Sequence, residues 1–468
     1  MKVIEVAAPP SPVIAAPPVS DRTRLLLEGP ILPTLLRLAL PNIVVVVVQA
    51  TSSAVDAFYL GRLGSDVLAG VALVFPVWML MVTMSAGGIG GGISSSVARA
   101  LGGGRRGDAN ALVAHSLILS VVLSALFSAV VLLFGPRLYQ SMGGQGAALS
   151  AAVAYSTVIF AGAVAIWLVN GFGSLLRGSG EMLVPAIVIV SGEVVHIALA
   201  PLLIFGLGPF PVLGVTGAGI SLVTSYVLRA LALGTFLFAK RAAVHWPTGR
   251  LRLRRELFWE ILRVGLPGSL NTVLTNANVV AVTSLVGTSG VFALAGYGLA
   301  ARLEYLQIPL VFGFGTALVT MVGTNIGAGQ VQRARRVTWI GAGVTAAATG
   351  SVGVLAAIFP RAWLGLFTAE PAVLAIGETY LRIVGPTFAL FGLGLALYFA
   401  SQGSGHVLWT LVAGFGRMIV AVGGGWLAIH VFGAGLPWLF VTIAAAFVAF
   451  GGAQALAVNT TIRGKART

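Results

Sequence analysis

The sequence predicts an all-α polytopic membrane protein, with twelve transmembrane helices in two six-helix lobes related by a parallel internal repeat. Three observations predict it. Only 9% of the 468 residues are charged, 57% are hydrophobic, and the mean hydropathy is +0.99. A soluble domain carries roughly 25% charged residues, so this chain could not cover its surface in water. Apolar runs of about twenty residues recur along the whole length, each able to cross a hydrocarbon core roughly 30 Å thick. Finally, stretches of the first half return in the second half in the same order. Backbone facing lipid must satisfy its own hydrogen bonds, which leaves helices or a closed barrel. The runs are too long for barrel strands.

Taken in order, residues 1–35 are expected to form a flexible cytoplasmic tail. Their start, "MKVIEVAAPPSPVIAAPPVS", is rich in Pro and Ala and lacks the continuous apolar core of a signal peptide. Pro/Gly punctuation and charge clusters then delimit spans at 36–60, 66–99, 108–134, 147–176, 181–206 and 213–240, the first lobe (36–240). The basic stretch "KRAAVHWPTGRLRLRRE" (240–256) holds the linker, 241–256, and reads as a solvated amphipathic surface helix. Spans at 257–287, 291–327, 331–358, 371–402, 406–430 and 434–460 make the second lobe (257–460), and 461–468 is a second cytoplasmic tail.

The charge of +15 sorts by side of the membrane. Counting alternate connections, 21 of the 28 Lys and Arg fall on one side and three (Arg62, Arg137, Arg361) on the other, while Arg229, Arg302, Arg382 and Arg417 lie inside spans. This bias places both termini in the cytoplasm, and the inner (plasma) membrane is the expected location. The basic charge is therefore a topology signal, and nucleic acid is not an expected partner. There is no cysteine, hence no disulfide and no thiolate metal site.

The repeat has three anchors. "RLALPNIVVVVVQ" (37–49) resembles "RVGLPGSLNTVLT" (263–275), setting Pro267 against Pro41. "ARALGGGRR" (98–106) resembles "GTNIGAGQV" (323–331), and "RGSGE" (177–181) resembles "QGSGH" (402–406). Both halves start from the same side, so the relating axis runs along the membrane normal. Such architectures hold substrate between the halves and work by rocking one against the other.

With "VDAFYLGRLGSDVLAGVAL" (55–73), "GLPGSLNTVL" (265–274), "GYGLAARLEYLQIPLVFGFGTAL" (296–318) and "LRGSGE" (176–181), the chain resembles the multidrug and toxic compound extrusion (MATE) transporters. It is most similar to the prokaryotic, DNA-damage-inducible-protein-like branch. The resemblance spans both halves. It implies a two-lobed secondary antiporter, driven by a proton or sodium gradient, that exports cationic or amphipathic compounds.

Asp56 lies near the outer end of span 1, where an acid opposes the helix dipole and a buried charge is costly. It is either a proton or ion site or a structural partner of Arg62. The resemblance favours the first, because the family's first helix carries an acid there. In "SGEVVHIALAPLLIFG" (191–206), Glu193 and His196 are three apart and share a helix face. The branch's motif Asn-x-x-Leu-Asp-Pro, laid on this segment, sets His196 at the Asn and Ala200 at the Asp. The second acid is missing, and Glu193 is the expected substitute, sharing a cavity with Asp56; the alternative is a structural Glu193–His196 pair. An imidazole titrates near pH 6.5 unperturbed, whereas sodium prefers oxygen ligands, so H+ is favoured over Na+ as coupling ion. Glu304, Arg302, Asn276 and Arg417 form a possible polar site of the second lobe. Phe58, Tyr59, Trp78, Tyr305 and Tyr398 are candidate cavity aromatics. Glu378 and Arg382 are read as a structural pair, His115 as a packed side chain, and the small residues of "GGIGGGISSS" (87–96) as a helix-packing surface.

No catalytic residue, metal or cofactor is expected: HExxH and GxSxG are absent, and the acids and histidines are scattered. Competing readings are a lipid-linked oligosaccharide flippase of the same superfamily, a sodium-coupled exporter, and a lipid-modifying membrane enzyme. The expected partners are small organic cations or amphipaths and membrane lipids, with one chain as the working unit.

Overall fold

The computed structural model describes residues 21–239, 242–247 and 252–464. Among them every regular element is helical. Twelve spans follow one another: Ile31–Gly61, Ser65–Gly102, Arg106–Ser141, a fourth made of Gly146–Ala161 and Ala163–Gly178 bent by 49°, Leu183–Phe205, Gly214–Phe238, Arg255–Gly287, Val291–Gly327, Val331–Ile358, Pro371–Ser404, Leu408–Val431 and Leu436–Thr460. Spans 1–6 pack around one apolar core, which also takes in Leu257 and Ile261 at the start of span 7, and spans 7–12 pack around a second.

The repeat reaches the backbone. Gly64 and Gly290, Gly104 and Gly329, and Gly180 and Gly405 occupy matched turns, with φ of 115° and 102°, 72° and 75°, 84° and 82°. Only glycine adopts such angles without a steric cost. The two halves thus turn their chain at equivalent places.

Two segments differ from expectation. Part of the supposed N-terminal tail is helical: Asp21–Glu28 forms a short helix, and span 1 begins at Ile31. Leu26 is buried with Met182 of the first lobe and Phe314 and Leu318 of the second, which supplies the order that composition alone did not promise. Residues 1–20 lie outside the described residues. The linker is not a surface helix where it is described: 242–247 and 252–254 are irregular. Ala242 and Val244 are buried, and Arg254 donates its N–H to His115 Nε2 at 2.9 Å and pairs with Asp108. Tertiary anchors override the amphipathic pattern there. Residues 240–241 and 248–251 of the linker lie outside the described residues.

The lobes meet at the end of the molecule that carries the basic connections. Span 2 passes through a π-helical segment, Met84–Ile89, into the small-residue stretch expected to pack closely. A Cβ on Gly88 would come within 2.7 Å of Ser269 N, and one on Gly92 within 2.9 Å of Gly265 N. The backbones touch because no side chain intervenes. Ser96 Oγ donates to Glu260 O at 2.9 Å, Gln402 Nε2 to Gly87 O at 2.9 Å, Arg99 Nη1 to Gly403 O at 3.3 Å, and Thr320 Oγ1 to Arg177 O at 2.8 Å.

Candidate functional site

Asp56 sits five residues before the end of span 1, and its carboxylate faces His196 of span 5. Imidazole Nε2 lies 3.0 Å from Oδ1 and 2.9 Å from Oδ2. The imidazole is sealed (2% exposed), while the carboxylate keeps 27% of its exposure and stays reachable. On the ring's other side, Ser221 Oγ of span 6 is 3.2 Å from Nδ1 and donates to Ala218 O at 2.8 Å.

A hydroxyl has one proton to give. With that proton on Ala218 O, Ser221 accepts from Nδ1–H. Nε2 then meets Asp56 only if the pair holds a further proton, on the ring or on the carboxyl. Without it, a nitrogen lone pair would face a carboxylate. The geometry is suited to holding one exchangeable proton among spans 1, 5 and 6.

Arg62, the alternative partner of Asp56, instead lies over the Phe58 ring, 4.8 Å from its centre. Glu193 shares a helix face with His196 but turns to a different partner. Arg229 Nη1 of span 6 donates to Glu193 Oε1 at 3.0 Å, and both side chains are buried. Arg229 Nη2 also reaches Ser225 Oγ at 3.2 Å, and its Cζ lies 4.6 Å from the centre of the Tyr226 ring. The expected shared site of two acids is therefore split in two, Asp56–His196 and Glu193–Arg229. Arg229 carried a signal, since an intramembrane arginine needs a partner. Ser221 carried none.

The second-lobe candidates also divide. Tyr380 OH donates to Glu304 Oε2 at 3.0 Å, and Arg417 is buried nearby, within Glu304's field. Arg302 turns away over Phe367 (5.8 Å), and exposed Asn276 bonds back to Thr272 O of its own helix at 2.9 Å, so neither joins that site. Glu378 pairs with Arg382 at 3.3 Å and with Arg361 at 2.5 Å.

The aromatic candidates do not line one cavity. Phe58 is exposed beneath Arg62, Tyr59 packs edge-on against Phe205 (6.3 Å), and Trp78 packs against Tyr226 (6.0 Å) in the first lobe. Tyr398 is buried at the lobe junction, where Gln402 Nε2 donates to its hydroxyl at 2.8 Å. Tyr305 stays partly open, beside Glu304. His115 is fully buried and, besides accepting from Arg254, sets Nδ1 2.7 Å from Ala111 O.

A family model described as MatE matches residues 41–202 and again 267–427. The chain belongs to the MatE family. The two matches, set one half apart, also recover the internal repeat. MatE relatives include the "FAD transporter" of Shewanella oneidensis, 27% identical over 80% of this chain and 82% of that one, and the "Probable multidrug resistance protein YoeA" of Bacillus subtilis, 29% identical over 78% and 80%. Among solved structures, a multidrug resistance MATE family transporter in an outward-facing conformation superposes with a TM-score of 0.86 at 27% identity, covering 97% of this chain and 100% of that one. A superfamily transporter from Pyrococcus furiosus, described by the reverse polarity of its binding pocket, gives 0.88 at 27% identity over the same shares. The protein is thus a multi-pass membrane transporter of the multidrug-efflux family and not an enzyme.

Proposed function

We propose that the protein is a proton-driven antiporter that exports cationic or amphipathic small molecules, working as a single chain in the inner membrane with both termini cytoplasmic. The observation that carries this is the Asp56–His196 contact, an acid and a titratable ring joined across two spans with the acid still reachable. When the pair gains or loses its proton, the tie between spans 1 and 5 is made or broken. A bound proton biases an inward–outward equilibrium if the two states hold it with different affinity. The lobes are closed at the basic end, which the charge bias assigns to the cytoplasm; in this reading the structure is an outward-open state, the one that takes up a proton and releases substrate. The relatives named for multidrug resistance support the substrate class.

Everted vesicles test this. A lumen-acid pH gradient should drive uptake of a fluorescent organic cation without sodium, and Asp56→Asn should insert normally but lose the response. Uptake that requires sodium, or an undiminished Asp56→Asn, would overturn proton coupling at this site.

A further inference from the structure

Each lobe buries one arginine near mid-span, but among the described residues only Arg229 has a carboxylate in contact, while Arg417 has Glu304 nearby without contact. In the first lobe Arg229 lies against Gly192, where a Cβ would overlap its guanidinium, and Glu193 neutralises it at 3.0 Å. At the repeat offset of 225 set by Gly180 and Gly405, Gly192 corresponds to Arg417, Glu193 to Met418, and Arg229 to Gln454. The guanidinium therefore comes from span 11 rather than span 12, and the carboxylate is gone.

Arg417 is 6% exposed and forms no ion pair with any described carboxylate. Its Nε has no hydrogen-bond partner among the described residues. Among the described residues its side chain makes one long hydrogen bond, Nη2 to Thr275 Oγ1 at 3.5 Å, and its Cζ lies 5.7 Å and 5.2 Å from the centres of the Phe391 and Phe450 rings. Glu304 is engaged by Tyr380 and does not close on it.

A buried cation with no carboxylate in contact is costly in a membrane protein, and the first lobe shows how the same chain compensates one directly. We propose that Arg417 is the anion-binding half of a ligand subsite in the second lobe. It takes a carboxylate or phosphate group on an amphipathic, ring-bearing molecule, with Glu304 facing that molecule's cationic end. The inference rests on the export reading above and extends its substrates to zwitterions. A guanidinium offers a planar fork of donors that matches two anionic oxygens, and such charge-assisted bonds strengthen where water is scarce. The guanidinium lies over the Phe391 and Phe450 rings, which supply apolar walls.

Binding to the purified full chain in neutral-detergent micelles tests it, using fluorescence polarisation of rhodamine B and of its methyl ester. The two probes share a ring system and differ by one negative charge. The wild type should bind the acid at least about tenfold more tightly than the ester, the scale of one hydrogen bond to a charged group. Arg417→Gln should bring that ratio close to one, and Arg417→Lys should restore part of it. Added benzoate that displaces the acid probe, with phosphatidylglycerol inert, assigns the subsite to a soluble ligand; displacement by phosphatidylglycerol assigns it to a lipid headgroup. A wild type that prefers neither probe, or a preference that survives Arg417→Gln, overturns the proposal, and the first outcome needs no variant to fold. Gradient-driven uptake of the ester alone reports on the export reading, so the two fail separately.

Discussion

At the residue scale, the two buried ion contacts of the first lobe do different work. Glu193 and Arg229 are both buried and neutralise each other, so the pair has no need to exchange a proton to be stable. Removing one member leaves an unpaired charge in a dry site, which typically costs about 3–5 kcal/mol. Glu193→Ala and Arg229→Ala should each lower the midpoint of thermal unfolding in detergent, whereas Glu193→Leu with Arg229→Met should recover most of the loss. Equal stability of either single variant and the wild type would show that the pair is not structural. Asp56–His196 should behave differently, because its acid is partly exposed and Ser221 bonds the ring's other nitrogen. Ser221→Ala removes that bond. It should keep the fold and the transport of the parent while shifting the pH at which uptake is half-maximal. An unchanged pH profile would remove Ser221 from the site. Half of this was legible. Asp56, Glu193 and His196 stand out as charges in apolar runs, and the i, i+3 spacing sets the last two on one face. The pairing was not legible, since Arg229 and Ser221 reach that face from span 6 by packing, which no local pattern records.

At the element scale, helices were the legible part. Lipid enforces long apolar runs, and eleven expected spans were found as single helices or through short breaks, with span 4 bent at Gly162. Boundaries moved where composition misleads: span 1 starts five residues early at Ile31, and span 3 runs on through Pro136 to Ser141. The linker failed as a helix because its anchors, Asp108 and His115, lie on span 3. Span 2 is the element with the strongest mechanical consequence. Its glycines allow backbone contact with span 7 at Gly88 and Gly92, and with span 8 at Gly102, where a Cβ would stand 2.9 Å from Thr324 Cα. Gly102→Val should therefore wedge the lobes apart at the basic end and leave each lobe intact. The chain has no native cysteine, so a probe at Ser95→Cys, now covered by Gln402 and Gly403, reads this directly. Its maleimide labelling should rise severalfold in the Gly102→Val background. Labelling that stays at the parent level would mean the junction tolerates the side chain and does not depend on that contact.

At the scale of the whole molecule, the repeat and the charge bias were both legible because each is written many times over. Three sequence anchors predicted two lobes, and matched glycine turns and the double family match repeat the message. What the repeat could not say is where the lobes differ, and the differences (Glu193 against Met418, Gly192 against Arg417) are single residues set inside near-symmetric frames. Orientation has a simple measure: Arg252→Cys, exposed at the basic end, should react with an impermeant reagent only in opened cells, and labelling of intact cells would reverse the direction of transport. The rocking of the lobes makes the stronger demand. If transport requires the basic end to open, a covalent tie across it must stop transport while leaving the outer side free. Ala98 of span 2 and Gly323 of span 8 face each other there; a Cβ on Gly323 would stand 2.8 Å from that of Ala98. Disulfides prefer about 3.8 Å between those atoms, so the helices need to yield by only about 1 Å. Ala98→Cys with Gly323→Cys, oxidised in everted vesicles, should lose gradient-driven uptake and regain it on reduction, with each single variant insensitive to oxidant. Substrate binding from the outer side should persist in the tied protein, since the outer halves of the spans are untouched. Transport that continues with the disulfide formed would show that substrate crosses without separation of the lobes at this end, and alternating access by rocking would have to be given up for this protein.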